Sequence, residues 1–157
     1  MEMHNASKAW KSMRVQPVEN TLDFDINNNI YIVRADRRLK HTRFLGLYKD
    51  KSVKAVGMVI ARTTAIMTSE DIEYEIEFGN LTGKRIKLIE TFLNEHHLDN
   101  DKHRFFFVDK FYMTDFKKTS SSGLQRSKIF DLTQVLGKID IPDAETLAKL
   151  MENKTWE

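Results

Sequence analysis

The sequence predicts an α+β fold: a curved, largely antiparallel sheet or small open barrel covered by two or three helices. Three observations carry this expectation. β-branched and aromatic runs crowd the middle of the chain. Helical segments are too few to cross over between successive strands, as a parallel βαβ fold requires. Two prolines and six glycines are few for 157 residues, so polar turns must join the elements. The length suits one domain on the usual prior of about 100–200 residues. That domain divides into an N-terminal helical arm over 1–20, a sheet core over 22–132 and a C-terminal helix and tail over 138–157.

The first 20 residues read as a short amphipathic piece with Trp10, Met13 and Val15 as apolar contacts, halted near Pro17. Asn27-Asn28-Asn29 makes a turn, because Asn tolerates left-handed backbone. Ile30-Tyr31-Ile32-Val33 is the first strand, and Phe44-Leu45-Gly46-Leu47-Tyr48 the next. Lys49-Asp50-Lys51 reads as a hairpin turn leading into a returning strand, Val53 to Ile60. Glu73 to Phe78 alternates charged and apolar residues, the mark of a strand with one wet face.

From Lys84 to Glu95, the residues Ile86, Ile89 and Leu93, with Leu88 and Phe92 beside them, form a helical stripe that Thr82 or Gly83 can open. Arg104 to Val108 is the most apolar strand, and Lys128 to Leu132 a shorter one. A last helix starts near Pro142 and carries Ala144, Leu147, Ala148 and Met151 on one face.

Composition excludes several function classes. Hydrophobic residues are 41% and charged residues 31%, well inside the globular range. With no cysteine there is no disulfide scaffold, thiolate zinc site or cysteine nucleophile. No apolar run approaches the ~18 residues of a membrane span, and the opening MEMHNASKAWK has no signal-peptide core. No membrane association and a cytoplasmic location are therefore expected. The net charge is only +2, so an argument for nucleic acid must rest on where the charges sit.

Two stretches concentrate positive charge. Arg34, Arg37, Arg38, Lys40 and Arg43 face only Asp36, with His41 among them, between two predicted strands. Lys49, Lys51 and Lys54 extend that surface along the hairpin, and Tyr31, Phe44 and Tyr48 can offer stacking faces. The second stretch runs from Thr114 to Lys128. Lys117, Lys118, Arg126 and Lys128 bracket Ser120, Ser121, Ser122 and Gly123, a composition that can present hydroxyls, backbone N–H groups and ammonium groups to an anion. A solvated loop is the alternative for each stretch, the first paired with Glu73, Glu75 and Glu77. Gly123 lacks the second glycine and the Lys-Ser/Thr pair of a nucleotide-hydrolysing loop.

Other constellations are weaker. His96, His97 and His103 with Asp99 and Asp101 lack the spacing of a metal site and read as a polar connection. Glu73, Glu75 and Glu77 share one strand face, yet no nuclease pattern accompanies them. His41-Thr42 lacks the duplicated motif of phosphoesterases, and no Gly-X-Ser-X-Gly elbow is present. Trp10 and Trp156 read as core residues, with a base-holding cage as the functional alternative.

Ile30-Tyr31-Ile32-Val33, the hairpin Tyr48 to Val59 with its late Gly57, the helix at Lys84 and the strand Phe105 to Val108 together resemble PUA-like small barrels. That superfamily includes EVE, ASCH and YTH domains. The resemblance spans residues 30 to about 116 and is one of pattern. It implies a nucleic-acid reader, often of modified bases, sometimes attached to defence or RNA-processing machinery.

The function expected is therefore binding of DNA or RNA. Arg34, Arg37, Arg38, Lys40, His41, Arg43, Lys49, Lys51, Lys54 and the 117–128 loop would hold phosphates, and Tyr31 and Tyr48 would stack on bases. This mechanism needs no metal or cofactor and no catalytic residue. One alternative is a small accessory or inhibitor protein that binds a partner protein by charge complementarity. Another is a metal-dependent nuclease or phosphoesterase using His41 and the Glu73–Glu77 face.

Overall fold

A computed structural model describes residues 8–36 and 38–157. In chain order the elements are β1 (Ser12–Pro17), α1 (Leu22–Asn28), β2 (Ile30–Arg34), β3 (Phe44–Lys49), β4 (Ser52–Met67) and β5 (Ile72–Phe78). Then follow α2 (Gly83–Glu95), β6 (His103–Lys118), β7 (Lys128–Asp131), α3 (Leu132–Leu136), α4 (Ala144–Met151) and β8 (Thr155–Trp156). The fold is α+β. Its strands form one open, mixed sheet in the order β2-β6-β4-β3-β1-β7, with β5 added on β4 and β8 on β6. The sheet does not close into a barrel. The chain forms two compact units.

One unit comprises residues 8–29, 40–59 and 108–157. Here β1 runs parallel to β3, with Met13 opposite Phe44, and antiparallel to β7, with Met13 opposite Phe130. Met13, Val15, Phe44, Val53 and Val56 lie fully buried with Phe116 and Leu132. Helix α4 lays Ala144, Leu147, Ala148 and Met151 on this core, the stripe its sequence predicts. Asp143 rather than Pro142 sets its start, by accepting from the Thr146 N–H at 2.9 Å. Gly57 has a packing reason: a Cβ there would lie 2.9 Å from the Lys110 carbonyl oxygen and from the Val108 Cβ.

The other unit comprises residues 30–39 and 60–107. Strand β2 pairs antiparallel with β6, Ile30 opposite Phe107, and β4 pairs antiparallel with β5, Met67 opposite Ile72. Ile89 and Leu93 of α2 pack on Ile30, Ala61, Ala65, Phe105 and Phe107. Thr82 caps this helix by accepting from the Arg85 N–H at 3.3 Å.

Three expectations need correction. The helical arm over 1–20 is confined, among the described residues, to 8–10; from Ser12 the chain is a strand. Its residues alternate polar and apolar, Ser12-Met13-Arg14-Val15-Gln16, yet both faces are buried, Arg14 and Gln16 included. The Asn run closes a helix, α1, that is not among the expected elements, and Asn29 is left-handed at φ 53°, as a turn-forming Asn allows. Finally, β4 and β6 each reach 16 residues, past the Ile60 and Val108 ends expected, and β6 takes in residues 114–118 of the stretch weighed as a loop.

Candidate functional site

The β3–β4 hairpin meets the serine-rich loop within the first unit. Asp50 and Lys51 turn the hairpin with φ of 52° and 63°, the paired positive values of a tight two-residue turn. Lys51 then points its ammonium at the loop, donating to the Ser120 carbonyl and, at 3.2 Å, to the Ser121 carbonyl. From the other side Lys118 donates to the Ser120 hydroxyl and, at 2.5 Å, to the Ser122 carbonyl. The Lys118 N–H reaches the Lys51 carbonyl at 2.8 Å, and the Leu124 N–H reaches the Tyr48 hydroxyl at 3.0 Å. The polarity is thus the reverse of the expected one. The serine loop offers acceptors inward to two lysines, rather than donors to an external anion.

A third tie comes from Arg14, a buried guanidinium in β1. It donates to the Ser127 hydroxyl at 3.2 Å and to the Lys40 carbonyl at 3.3 Å. The first basic stretch, at Lys40, is therefore joined to the end of the second, at Ser127. Residues 40–54 and 115–128 hold nine Lys and Arg against Asp50 and Asp115. Asp115 accepts from the Ser52 hydroxyl at 2.6 Å, and that bond, with Lys117 and Lys54 nearby, holds its carboxyl below the usual range. Lys117 approaches it at 3.5 Å, with both groups well exposed.

The remaining predicted residues divide by environment. Lys49 and Lys54 are half-buried, and Arg126 and Lys128 are exposed. His41 is half-buried beside Thr42, whose hydroxyl donates to the Phe44 carbonyl at 3.0 Å. Arg43 stacks on Trp10, its guanidinium carbon 3.8 Å from the ring centroid, and donates to the Ile141 carbonyl at 3.4 Å. Burial lowers the pKa of Arg43, and Asp143 partly offsets that. Trp10 is therefore a half-exposed stacking partner for Arg43 rather than a core residue.

Tyr48 is a correction. It is only 5% exposed and meets Trp156 edge-on at 6.1 Å, so no base can stack on it. Tyr31, in the second unit, is 6% exposed and packs against Phe106 at 5.8 Å, which removes it in the same way. Also in that unit, Arg34 pairs with Asp101 at 3.6 Å and Arg38 is exposed, while Arg37 lies outside the described residues.

The acidic strand has different partners from those expected. Glu77 is clasped by Arg104, at 2.7 and 3.0 Å, and by Arg62 at 3.0 Å. Burial alone would raise the Glu77 pKa, but the two guanidiniums overcome it and hold the carboxyl below its usual range. Arg62 also donates to the Leu39 carbonyl at 2.9 Å. Glu75 pairs with Lys102 at 3.4 Å. A carboxylate held by two arginines is a poor general base, so the Glu73–Glu77 face loses Glu77 for hydrolytic chemistry.

Sequence reasoning missed two residues at this site. Arg14 sits in the alternating run Ser12-Met13-Arg14-Val15-Gln16, where only Met13 and Val15 read as contacts, and carries no motif. Lys154 lies in the tail, beside Trp156, where only the folded chain gives it neighbours.

No protein family, curated protein or solved structure matches this chain. Among the described residues no helix is long and apolar enough to cross a membrane.

Proposed function

We propose that the chain binds the phosphate backbone of a nucleic acid through the surface formed by residues 40–54 and 115–128. The observation that carries this reading is the way the cluster is held. Lys51 and Lys118 are tied by carbonyls and a hydroxyl. Dipoles satisfy hydrogen bonds without cancelling charge, so the region keeps a surplus that an external polyanion can neutralise. Lys49, Lys54, Lys117, Arg126 and Lys128 are the phosphate contacts. Lys51 and Lys118 shape the loop. The PUA-like resemblance agrees with this class of ligand and adds the reading of a base.

Fluorescence anisotropy with labelled single strands and duplexes of DNA and RNA, titrated across salt, tests the proposal. Lys54→Ala with Arg126→Ala should flatten the log–log salt slope by about 0.9 per lost duplex contact, or about 0.7 per single-strand contact. An unchanged slope rejects this surface. Arg38→Ala, measured in parallel, reports whether the basic stretch of the other unit contributes.

One observation favours a protein partner as the second reading. Strand β5 exposes Ile76 and Phe78 on one face and Glu73 and Glu75 on the other, an apolar and an acidic surface on one strand. A complex on size exclusion that Glu73→Lys with Ile76→Lys abolishes, with no salt-sensitive binding of nucleic acid, would establish it.

A further inference from the structure

Trp10 is the indole that the fold leaves open. It is 53% exposed, whereas Trp156, Tyr31 and Tyr48 are 8% exposed or less. The Arg43 guanidinium lies over one face of its ring, with the guanidinium carbon 3.8 Å from the centroid. A ring covered on one side and still half exposed presents its other face to solvent.

That face is held in place. The Ala9 carbonyl accepts from the Arg43 N–H at 2.9 Å and from the Ser12 hydroxyl at 2.8 Å, and the Lys11 carbonyl accepts from the Leu132 N–H at 2.8 Å. The backbone is thus pinned on both sides of Trp10. Arg43, itself donating to the Ile141 carbonyl at 3.4 Å, pins the side chain by its cation–π contact. A platform fixed in this way loses little side-chain entropy when a ligand lands on it.

The surroundings are cationic. Lys8, exposed, and Lys11, half-buried, flank Trp10 in the chain. Among the described residues no carboxylate lies within ion-pair distance of either lysine or of Arg43, and Asp143 acts on Arg43 from beyond that distance. Arg43 belongs to the 40–54 stretch, so Trp10 adjoins the surface that would hold phosphates. In a duplex the bases close their faces on one another, whereas an unpaired base offers a face to an aromatic side chain. We propose that one unpaired base of a single-stranded nucleic acid stacks on the open face of Trp10, opposite Arg43, with Lys8 and Lys11 beside the neighbouring phosphates. Resting on the backbone reading, this narrows its ligand from any polyanion to a strand with an unpaired base.

Intrinsic tryptophan emission and fluorescence anisotropy test it together. The probes are oligothymidylate and oligouridylate of about 15 nucleotides, a duplex of the same length, and long-chain inorganic polyphosphate as a polyanion without bases. Either strand should quench the parent protein saturably, and polyphosphate should not. Trp10→Phe should lose that quenching, because Trp156 is buried. In anisotropy Trp10→Ala should weaken strand binding about 5- to 150-fold, the loss of one base–aromatic stack, with Trp10→Phe in between. Duplex and polyphosphate binding should change less than about twofold, as for an exposed position that makes no contact with them. The salt slope for the strand should not change, since no phosphate contact is removed.

Strand binding that leaves the parent emission unaltered, or that falls no more than duplex binding in Trp10→Ala, overturns the stacking. A persistent salt slope would then leave the backbone reading standing. Salt-insensitive or undetectable binding of every probe would overturn both.

Discussion

Replacing Glu77 with Gln should be among the most destabilising single changes available in this protein. Gln keeps the shape, so no cavity opens, and the change isolates the charge. Arg62 and Arg104 are 7% and 4% exposed, and Glu77 meets both of them at 2.7–3.0 Å. Breaking a buried ion pair by removing one partner costs about 3–5 kcal/mol, because the survivor stays desolvated and unpaired. The Glu77 side chain is 15% exposed, so some solvent screening applies and about 3 kcal/mol is the figure to expect. That is a large share of the roughly 5–15 kcal/mol of a typical domain.

Urea unfolding followed by far-UV circular dichroism at pH 7 measures it, with Arg62→Met and the double variant completing a cycle. The cycle should give a coupling of about 1–3 kcal/mol between Glu77 and Arg62. A pH series adds an independent check. The folded pKa of Glu77 is depressed, so its contribution is complete above the ordinary glutamate pKa and lost as pH falls through the folded value. Parent and variant should therefore converge in acid. A Glu77→Gln protein within about 0.5 kcal/mol of its parent at pH 7 would refute the reasoning.

Three further outcomes follow from other parts of the fold. Asp25, 2% exposed on α1, has its pKa raised to about 7 by burial, against a lowering bond from the Thr21 hydroxyl at 3.0 Å. Its neutral form favours the fold, so stability should decline as pH rises through 7; Asp25→Asn should remove that slope, worth at most about 4 kcal/mol, and a parallel pH profile would contradict it. Gly79 turns with φ 72°, and a Cβ there would press on the Ile60 carbonyl and sit 2.9 Å from the Ala61 Cα, so Gly79→Ala should cost about 2 kcal/mol in chemical denaturation. Lys51→Ala should raise amide hydrogen exchange across residues 119–124 while global stability changes by less than about 1 kcal/mol; unaltered protection would mean the lysine does not hold the loop.

The fold class and the elements with clear periodicity were legible in the sequence. The α2 stripe through Ile89 and Leu93, the α4 stripe and the Lys49-Asp50-Lys51 hairpin turn all lie where the pattern puts them, because each rests on neighbours a few residues apart. Strand β1 was legible in part. Met13-Arg14-Val15-Gln16 alternates apolar and polar residues, but so short a run before a proline also fits a helical turn, and only pairing with β3 and β7, which buries Arg14 and Gln16 too, decides for the strand. The basic surface was half legible. Composition marks Lys49 to Lys54 and Lys117 to Lys128 as cationic, but which lysines face outward depends on contacts between residues some 70 positions apart, such as Lys51 with Ser120. Tyr31 and Tyr48 illustrate the converse, since nothing local tells an aromatic that stacks on a ligand from one that stacks on Phe106 or Trp156.

The partners of the cations differ in balance between the two units. In the unit of residues 30–39 and 60–107, Arg34, Arg62, Lys102 and Arg104 each meet a carboxylate within 4 Å. In the other, Lys117 meets Asp115 at 3.5 Å, but Lys51 and Lys118 meet carbonyls and a hydroxyl and Arg43 lies on an indole. An ion pair fixes a side chain and cancels its charge together, whereas a carbonyl or a ring fixes it and leaves the charge in place. Like charges gathered in this second way repel one another, which is a standing cost to the folded state. A bound polyanion removes that cost as it releases counterions, so association should stabilise the fold most at low salt, where both effects are largest. The same physics ties the loop's architecture to its ligand: a serine loop that spends its acceptors on Lys51 and Lys118 orders the cluster without neutralising it.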